Sequence, residues 1–268
     1  MMEKTNHQTT TIYETSFDHN EAKKTNLLVT GANHSGKTNL ACQIASILQR
    51  FDWRIVAFDS SGAWLQQSDI PHYITVNYDA DSETFKVPLF HSSILYDLTL
   101  LLLVEQQQFV DLVLLDLWHQ QLEAQIKLWT MVFLEESQLY CKNIRGSVAQ
   151  NILRIMTVGR NQKVRVCACS PDLSLIDPAF IRLCSQRYHA KLVREENAQR
   201  KFRSTYGRDW CDKATRLQLG EFVYLLRDQL TQVSVPLFIP KRQPQPIQQN
   251  KSWIRRFMDF TEKAWNEA

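Results

Sequence analysis

Glycine is scarce in this chain, with seven in 268 residues against an average of about 7%. A sequence so poor in the residue that most freely adopts left-handed backbone has few places for tight, ligand-cradling loops. Two glycines standing close together are therefore informative. The six cysteines (Cys42, Cys141, Cys167, Cys169, Cys184, Cys211) show no C-x-x-C spacing. Cys167 and Cys169 alternate onto one strand face, but no His or Cys pair matches them, which argues for buried free thiols in a reducing compartment rather than a metal site. No run reaches the roughly 18 apolar residues of a membrane span. The opening stretch MMEKTNHQTTTIYETSFDHNEAKK is polar throughout, without a signal-peptide core; the expectation is a soluble protein of the cytoplasm, or of the host cytoplasm if viral. No N-K-x-D-like stretch offers to read guanine. The net charge of +3 permits a nucleic-acid partner without arguing for one.

What is present centres on Thr25–Leu40, TNLLVTGANHSGKTNL. A short apolar strand (Leu27, Leu28, Val29) runs into Gly31-Ala32-Asn33-His34-Ser35-Gly36-Lys37-Thr38 and then into an apolar-periodic helix. This is G-x-x-x-x-G-K-[ST] in the strand–loop–helix context that the motif requires. Gly36 lets the backbone approach phosphate, and successive N–H groups with the helix N-terminus form an anion cradle. Lys37 can reach the β- and γ-phosphates, and the Thr38 hydroxyl can ligate Mg²⁺. Residues Gly31 to Asn39 (Gly31, Ala32, Asn33, His34, Ser35, Gly36, Lys37, Thr38, Asn39) are the candidate ATP-binding residues.

The rest of the chain suits one α/β core of about 25–240, preceded by a polar lead-in (1–24) with a short strand near Thr10–Tyr13. The helix from Lys37 to about Arg50 carries a broad apolar stripe. Trp53–Phe58 is a nearly continuous apolar run ending in Asp59, as a buried parallel strand would. Ile70–Val76 and Phe85–Leu89 read as short strands. Residues 93–127, leucine-rich and free of Gly and Pro, read as two helices with a break near Glu105–Gln108, either buried together or forming a subunit contact. Leu128–Leu134 is a further strand, ending in Glu135-Glu136. A hydrophobic strand ending in acids is the expected second half of a phosphate-loop site. Glu135 would hold the Mg²⁺ shell through water, and Glu136 would orient and deprotonate the attacking water. Glu at the first position, where Asp is commoner, is a departure.

Val148–Val158 has helical spacing and closes on Gly159, suited to a helix C-cap. Lys163–Cys169 is a strand ending in Ser170, and Pro178 stands near the first position of a helix. Gln186–Leu192 alternates like a strand, Arg194–Tyr206 is a charged helix, and Leu219–Leu226 with Val233–Ile239 reads as a terminal hairpin. Beyond the Pro/Gln-rich linker that opens 241–268, Ser252–Trp265 is amphipathic, with Trp253, Phe257, Phe260 and Ala264 on one face.

The order of GANHSGKT, WRIVAFD with SSGAW, VFLEESQLY and GRNQKVRVCACSPDLSLIDPAFIRLCSQRYHAKL resembles the FtsK–HerA superfamily of P-loop motor ATPases, from about Thr25 to Leu226. The resemblance implies a RecA-like fold with a mainly parallel central sheet flanked by helices, plus a C-terminal helical extension. It also implies assembly into a ring, usually a hexamer, that hydrolyses ATP with Mg²⁺ at subunit interfaces and moves double-stranded DNA. By motif match, Lys37 and Thr38 would bind phosphate and Mg²⁺, with Glu135 and Glu136 as the acidic pair. The family's strand-end sensor is usually Gln; here Ser170 stands nearest. Arg160 is the first candidate for an arginine acting on nucleotide, in cis or across an interface, with Arg145 and Arg187 behind it. A compact chain of this kind would suit a virus, plasmid or other mobile element, as a packaging or transfer motor. Two other readings of the same loop are a small-molecule or nucleotide kinase and a non-catalytic, ATP-dependent regulatory module.

Overall fold

A computed structural model describes residues 10–11, 17, 19–79, 84–85, 92–122, 128–142, 147–226, 228–240 and 244–246. In chain order the elements are β1 (Thr10–Thr11), α1 (His19–Ala22), β2 (Leu27–Thr30), α2 (Lys37–Arg50), β3 (Arg54–Asp59), α3 (Ala63–Gln67), β4 (His72–Thr75), β5 (Tyr78–Asp79) and β6 (Thr84–Phe85). They continue with β7 (Ile94–Asp97), α4 (Leu103–Leu122), β8 (Thr130–Leu134), α5 (Gln138–Cys141), α6 (Ser147–Val158), β9 (Val164–Ser170), a 3₁₀ turn (Leu173–Leu175) and α7 (Pro178–Arg182). The last are β10 (Gln186–His189), α8 (Glu196–Tyr206), α9 (Arg208–Arg216), β11 (Glu221–Leu226), β12 (Gln229–Ser234) and β13 (Gln245–Pro246).

Eleven of the described strands form one sheet in the order β1-β12-β11-β10-β2-β9-β8-β3-β7-β4-β13, while β5 and β6 pair separately. From β10 to β13 every pairing is parallel; β11 and β12 add an antiparallel hairpin to the β10 edge. Because successive side chains of a strand point to opposite faces, the apolar runs feed two cores at once. Leu28, Val56, Phe58, Val132, Leu134 and Val166 pack under α4, α6 and α7. Leu27, Val29, Ile55, Ala57, Met131, Phe133 and Cys167 pack under α2 and α3. The fold is a helix–sheet–helix sandwich, and the six cysteines are all free and buried within it.

Residues 93–122 form a strand and one helix, not the two helices expected of 93–127. Ile94–Asp97 is a strand, inserted between β3 and β4 with all four residues buried. Its β-branched and aromatic residues suit a doubly buried strand, but the leucine run that follows hides it. Nor does the helix break at Glu105–Gln108. Instead the Glu105 carboxylate accepts the Leu102 backbone N–H at 2.7 Å, half of a capping box that starts α4, and α4 then runs unbroken to Leu122. The terminal hairpin pairs through Gln229–Ser234 rather than Val233–Ile239, and α9 was not anticipated. The amphipathic stretch 252–265 and Arg145 lie outside the described residues.

One buried side chain ties several elements together. Asn26 Nδ2 donates to the Met156 and Leu183 carbonyls at 2.9 and 3.2 Å, and its Oδ1 accepts the Val166 N–H at 3.1 Å. Asn26→Ala would orphan three buried backbone groups, each costing about 1–3 kcal/mol. The expected loss is about 3 kcal/mol, read as a lower urea midpoint with an unchanged slope.

Candidate nucleotide site

Parallel register brings the carboxyl ends of the strands into one row. Thr30 lies opposite His189 on one side and Ser170 on the other. Leu134, just before Glu135, lies opposite Phe58 and Ala168, and Asp59 lies opposite Asp97. Ligands of open α/β sheets bind along this edge.

The loop Gly31–Gly36 sits at its centre. Gly31 has φ 150° and Gly36 φ 96°. A Cβ on Gly31 would stand 2.6 Å from the Ala190 Cβ, so only glycine lets the loop turn there. His34 also takes left-handed backbone, with φ 60°. The Ser35 hydroxyl is buried without a hydrogen-bond partner among the described residues. Lys37 is buried and its Nζ donates to the Ala32 carbonyl at 3.1 Å. A glycine-turned cradle, an orphaned hydroxyl and a buried ammonium resting on a loop carbonyl fit a polyphosphate.

The acidic strand end meets this loop directly. Thr38 Oγ1 donates to Glu135 Oε1 at 3.0 Å, and Trp64 Nε1 donates to Glu135 Oε2 at 3.1 Å. A hydroxyl and a carboxylate side by side are the hard oxygen donors Mg²⁺ takes from protein, the remaining positions going to water and phosphate. No cluster of three or more His, Cys, Asp or Glu able to hold a metal occurs among the described residues, in keeping with so sparse a ligand set. Burial pushes the Glu135 carboxyl upward, opposed by the hydrogen bonds from Trp64 and Thr38 and aided by the charges of Asp59 and Glu136.

Trp64 is held there by Asp59. One Asp59 oxygen accepts the Ser61 and Gly62 N–H groups at 3.1 and 2.8 Å, and the other accepts the Trp64 N–H at 2.8 Å. This folds the SSGAW turn and starts α3. Burial pushes the Asp59 carboxyl upward too, against those hydrogen bonds. Glu136 follows Glu135 in left-handed backbone, φ 50°, an uncommon conformation for a non-glycine residue that concentrates at functional sites. Its Oε2 accepts a hydrogen bond from Gln138 Nε2.

Other sequence-predicted residues go elsewhere. The Ser170 hydroxyl donates to the Asp172 carbonyl at 2.9 Å, and Ser170 touches the loop through its own carbonyl, which accepts the Gly31 N–H at 3.2 Å. The Asn39 side chain clips the segment after β12, donating to the Pro236 carbonyl and accepting the Phe238 N–H. Arg160 is exposed at the amino end of β9, and seven strand residues of about 3.3 Å rise put it roughly 20 Å from the loop in its own subunit. Arg187 is spent locally on the Cys184 and Ile181 carbonyls and the Tyr206 hydroxyl. The residues the motifs did not single out are Trp64, His189 and Tyr206; Trp64 and His189 sit within the quoted SSGAW and QRYHAKL, but only the fold joins Trp64 to Glu135 and His189 to Tyr206.

The two raised carboxyls have a consequence for stability. A buried acid whose folded pKa lies above its unfolded value binds a proton more readily when folded, so its stabilising contribution is lost as pH rises through that window. Glu135→Gln removes one such charge and keeps both bonds, because the Thr38 hydroxyl can accept from the amide while Trp64 still donates to its oxygen. Without nucleotide or Mg²⁺, the variant should melt above wild type at pH 8, with the gap closing toward pH 5.

The strand order, the glycine loop opening α2 and the acid at the end of β8 define a RecA-like P-loop NTPase fold. No family model matches the chain, and no curated protein does. Solved structures share the fold. The genome packaging NTPase B204 from Sulfolobus turreted icosahedral virus 2, bound to ATP-γS, superposes with a TM-score of 0.58 at 10% identity, over 79% of this chain and 96% of that one. The bacterial conjugative coupling protein TrwB gives a TM-score of 0.64 at 11% identity over 88% and 90%. The pCW3 conjugation coupling protein TcpA, with ATPγS, gives 0.53 at 12% over 89% and 66%. Among the described residues no helix is long and apolar enough to cross a membrane.

Proposed function

We propose that this protein is an ATP-hydrolysing motor of the FtsK–HerA type, assembling as a ring, with the hexamer as the expected size, to drive double-stranded DNA in genome packaging or transfer. The observation that carries the reading is the Thr38–Glu135 hydrogen bond, which joins the phosphate loop to a strand ending in a second acid. The sequence resemblance and the likeness to a packaging NTPase and to conjugation coupling proteins support the same direction.

In this reading the loop amides and Lys37 hold the β- and γ-phosphates, Lys37 leaving its Ala32 carbonyl for them. Thr38 and, through water, Glu135 would hold Mg²⁺, which supplies charge neutralisation on the phosphates when bound. Trp64 fixes the Glu135 carboxylate so that one oxygen remains aimed at Thr38. Glu136 orients and deprotonates the attacking water, a role suited to hydrolysis and not to a kinase's hydroxyl acceptor. Ser170 supports the loop through its carbonyl, which holds the Gly31 N–H, and a neighbouring subunit supplies the arginine, for which Arg160 stands exposed at the surface.

The test combines oligomeric state with turnover. Purified protein with ATP and Mg²⁺ should assemble, and duplex DNA should raise hydrolysis several-fold. A monomer whose turnover ignores DNA would defeat the motor reading. A phosphorylated small-molecule product would favour the kinase, and turnover no higher than that of Lys37→Ala would favour a regulatory module.

A further inference from the structure

The helical pair α8–α9 carries charge out of proportion to its size. Residues 191–216 hold eight Lys or Arg against four Asp or Glu, a net +4, whereas the whole chain carries only +3. Residues 1–190 carry a net −3, so within the folded core the positive charge concentrates on this pair. The apolar sides of the pair, Phe202, Cys211 and Ala214, pack with Leu192, Leu217 and Val223 into a small core of their own. The charged sides therefore face outward. Lys191, Arg194, Arg203 and Arg216 are exposed without an ion-pair partner among the described residues, and Arg200 is exposed with only a surface pairing to Glu196.

Both ends of this unit rest on the phosphate loop. At its start, the Lys191 carbonyl accepts the Ala32 N–H at 2.7 Å. At its end, the Gly220 nitrogen lies 3.4 Å from where a Gly36 Cβ would be, with Leu219 beside it. A buried chain of hydrogen bonds joins them inside. The hydroxyl of Tyr206, the last residue of α8, lies 2.9 Å from His189 Nε2, and His189 Nδ1 lies 2.6 Å from Thr30 Oγ1, directly before Gly31. Burial, with help from Arg187, lowers the His189 pKa to about 3, so the ring stays neutral and the chain keeps one form at physiological pH.

We infer that the outward face of α8–α9 is a contact for the phosphate backbone of duplex DNA, and that force on it reaches the phosphate loop through Tyr206, His189 and Thr30. The inference rests on the motor reading above. Its chemistry is that of phosphate neutralisation by Arg and Lys, which is independent of sequence and salt-dependent.

The experiment uses the full chain, a 40-base-pair duplex of mixed sequence and two variants. Arg200→Glu with Arg203→Glu should leave DNA-free hydrolysis within about two-fold, weaken duplex binding more than ten-fold, and shallow the log affinity–log salt slope by about two, at roughly 0.9 per lost phosphate contact. Tyr206→Phe should bind the duplex as wild type does while losing most of the DNA stimulation, which a purely structural residue would not do. If wild type binds and responds to the duplex but the double variant does so equally, the contact is elsewhere and the motor reading stands. If wild type neither binds nor responds, the DNA reading fails and this inference with it. Tight binding of polyglutamate but not of duplex would overturn it in favour of an acidic protein partner.

Discussion

Replacing Glu136 by Gln should leave a protein that binds ATP within a few-fold of wild type and turns it over 10²–10⁴-fold more slowly, the range set by removal of a positioned general base. The change is isosteric, and Gln can still meet Gln138 through its amide oxygen, so the turn after β8 should persist. The substitution strikes only the ability to accept a proton from water. Glu135 remains beside Thr38, and the phosphate cradle is untouched. A fluorescent-nucleotide titration together with single-turnover hydrolysis separates the two quantities. Equal loss of binding and turnover would mean that Glu136 supports the loop instead of the chemistry.

The second large effect belongs to Gly31→Ala. The methyl would stand 2.6 Å from the Ala190 Cβ and 2.9 Å from Ser35 Oγ, on a residue with φ 150°. The Ala190 Cβ has no rotamer through which to yield, because its position follows from the backbone at the end of β10. Overpacking of this kind costs about 1–3 kcal/mol. Relief can come only by moving the loop, whose amides are the proposed phosphate donors. Nucleotide affinity should fall more than ten-fold, with a melting temperature lower by several degrees. Wild-type affinity in this variant would mean that the loop does not close around phosphate in the described form.

How much of this was legible beforehand follows from the length scale of each interaction. Runs such as Ile55–Phe58, Met131–Leu134 and Val166–Cys169 are buried on both sheet faces, so they appear as apolar stretches closed by a polar residue. The phosphate loop is local and was readable residue by residue. Ile94–Asp97 was not, because a doubly buried strand beside a leucine-rich helix shares its composition and only the neighbours β3 and β4 distinguish it. The partner of Glu135 was equally hidden, since Trp64 lies 71 positions away in sequence and meets it only after Asp59 has folded the turn between. Ser170 marks the opposite limit. The apolar run before it places it at a strand end, but the turn through Pro171 aims its hydroxyl at Asp172, and no spacing rule carries that orientation.

The burial of every cysteine has a practical side. Loss of hydration pushes the Cys184 thiol up to about 12 and raises Cys42 and Cys141, while Cys169 is raised first by its hydrogen bond with Cys167 and then by burial. Alkylating dyes attack thiolate at an accessible sulfur, and the folded chain offers them none. A single cysteine introduced at an exposed position such as Ser204 on α8 would then be the one handle that takes a fluorophore. The native protein is already a silent background for watching that helix move during a catalytic cycle.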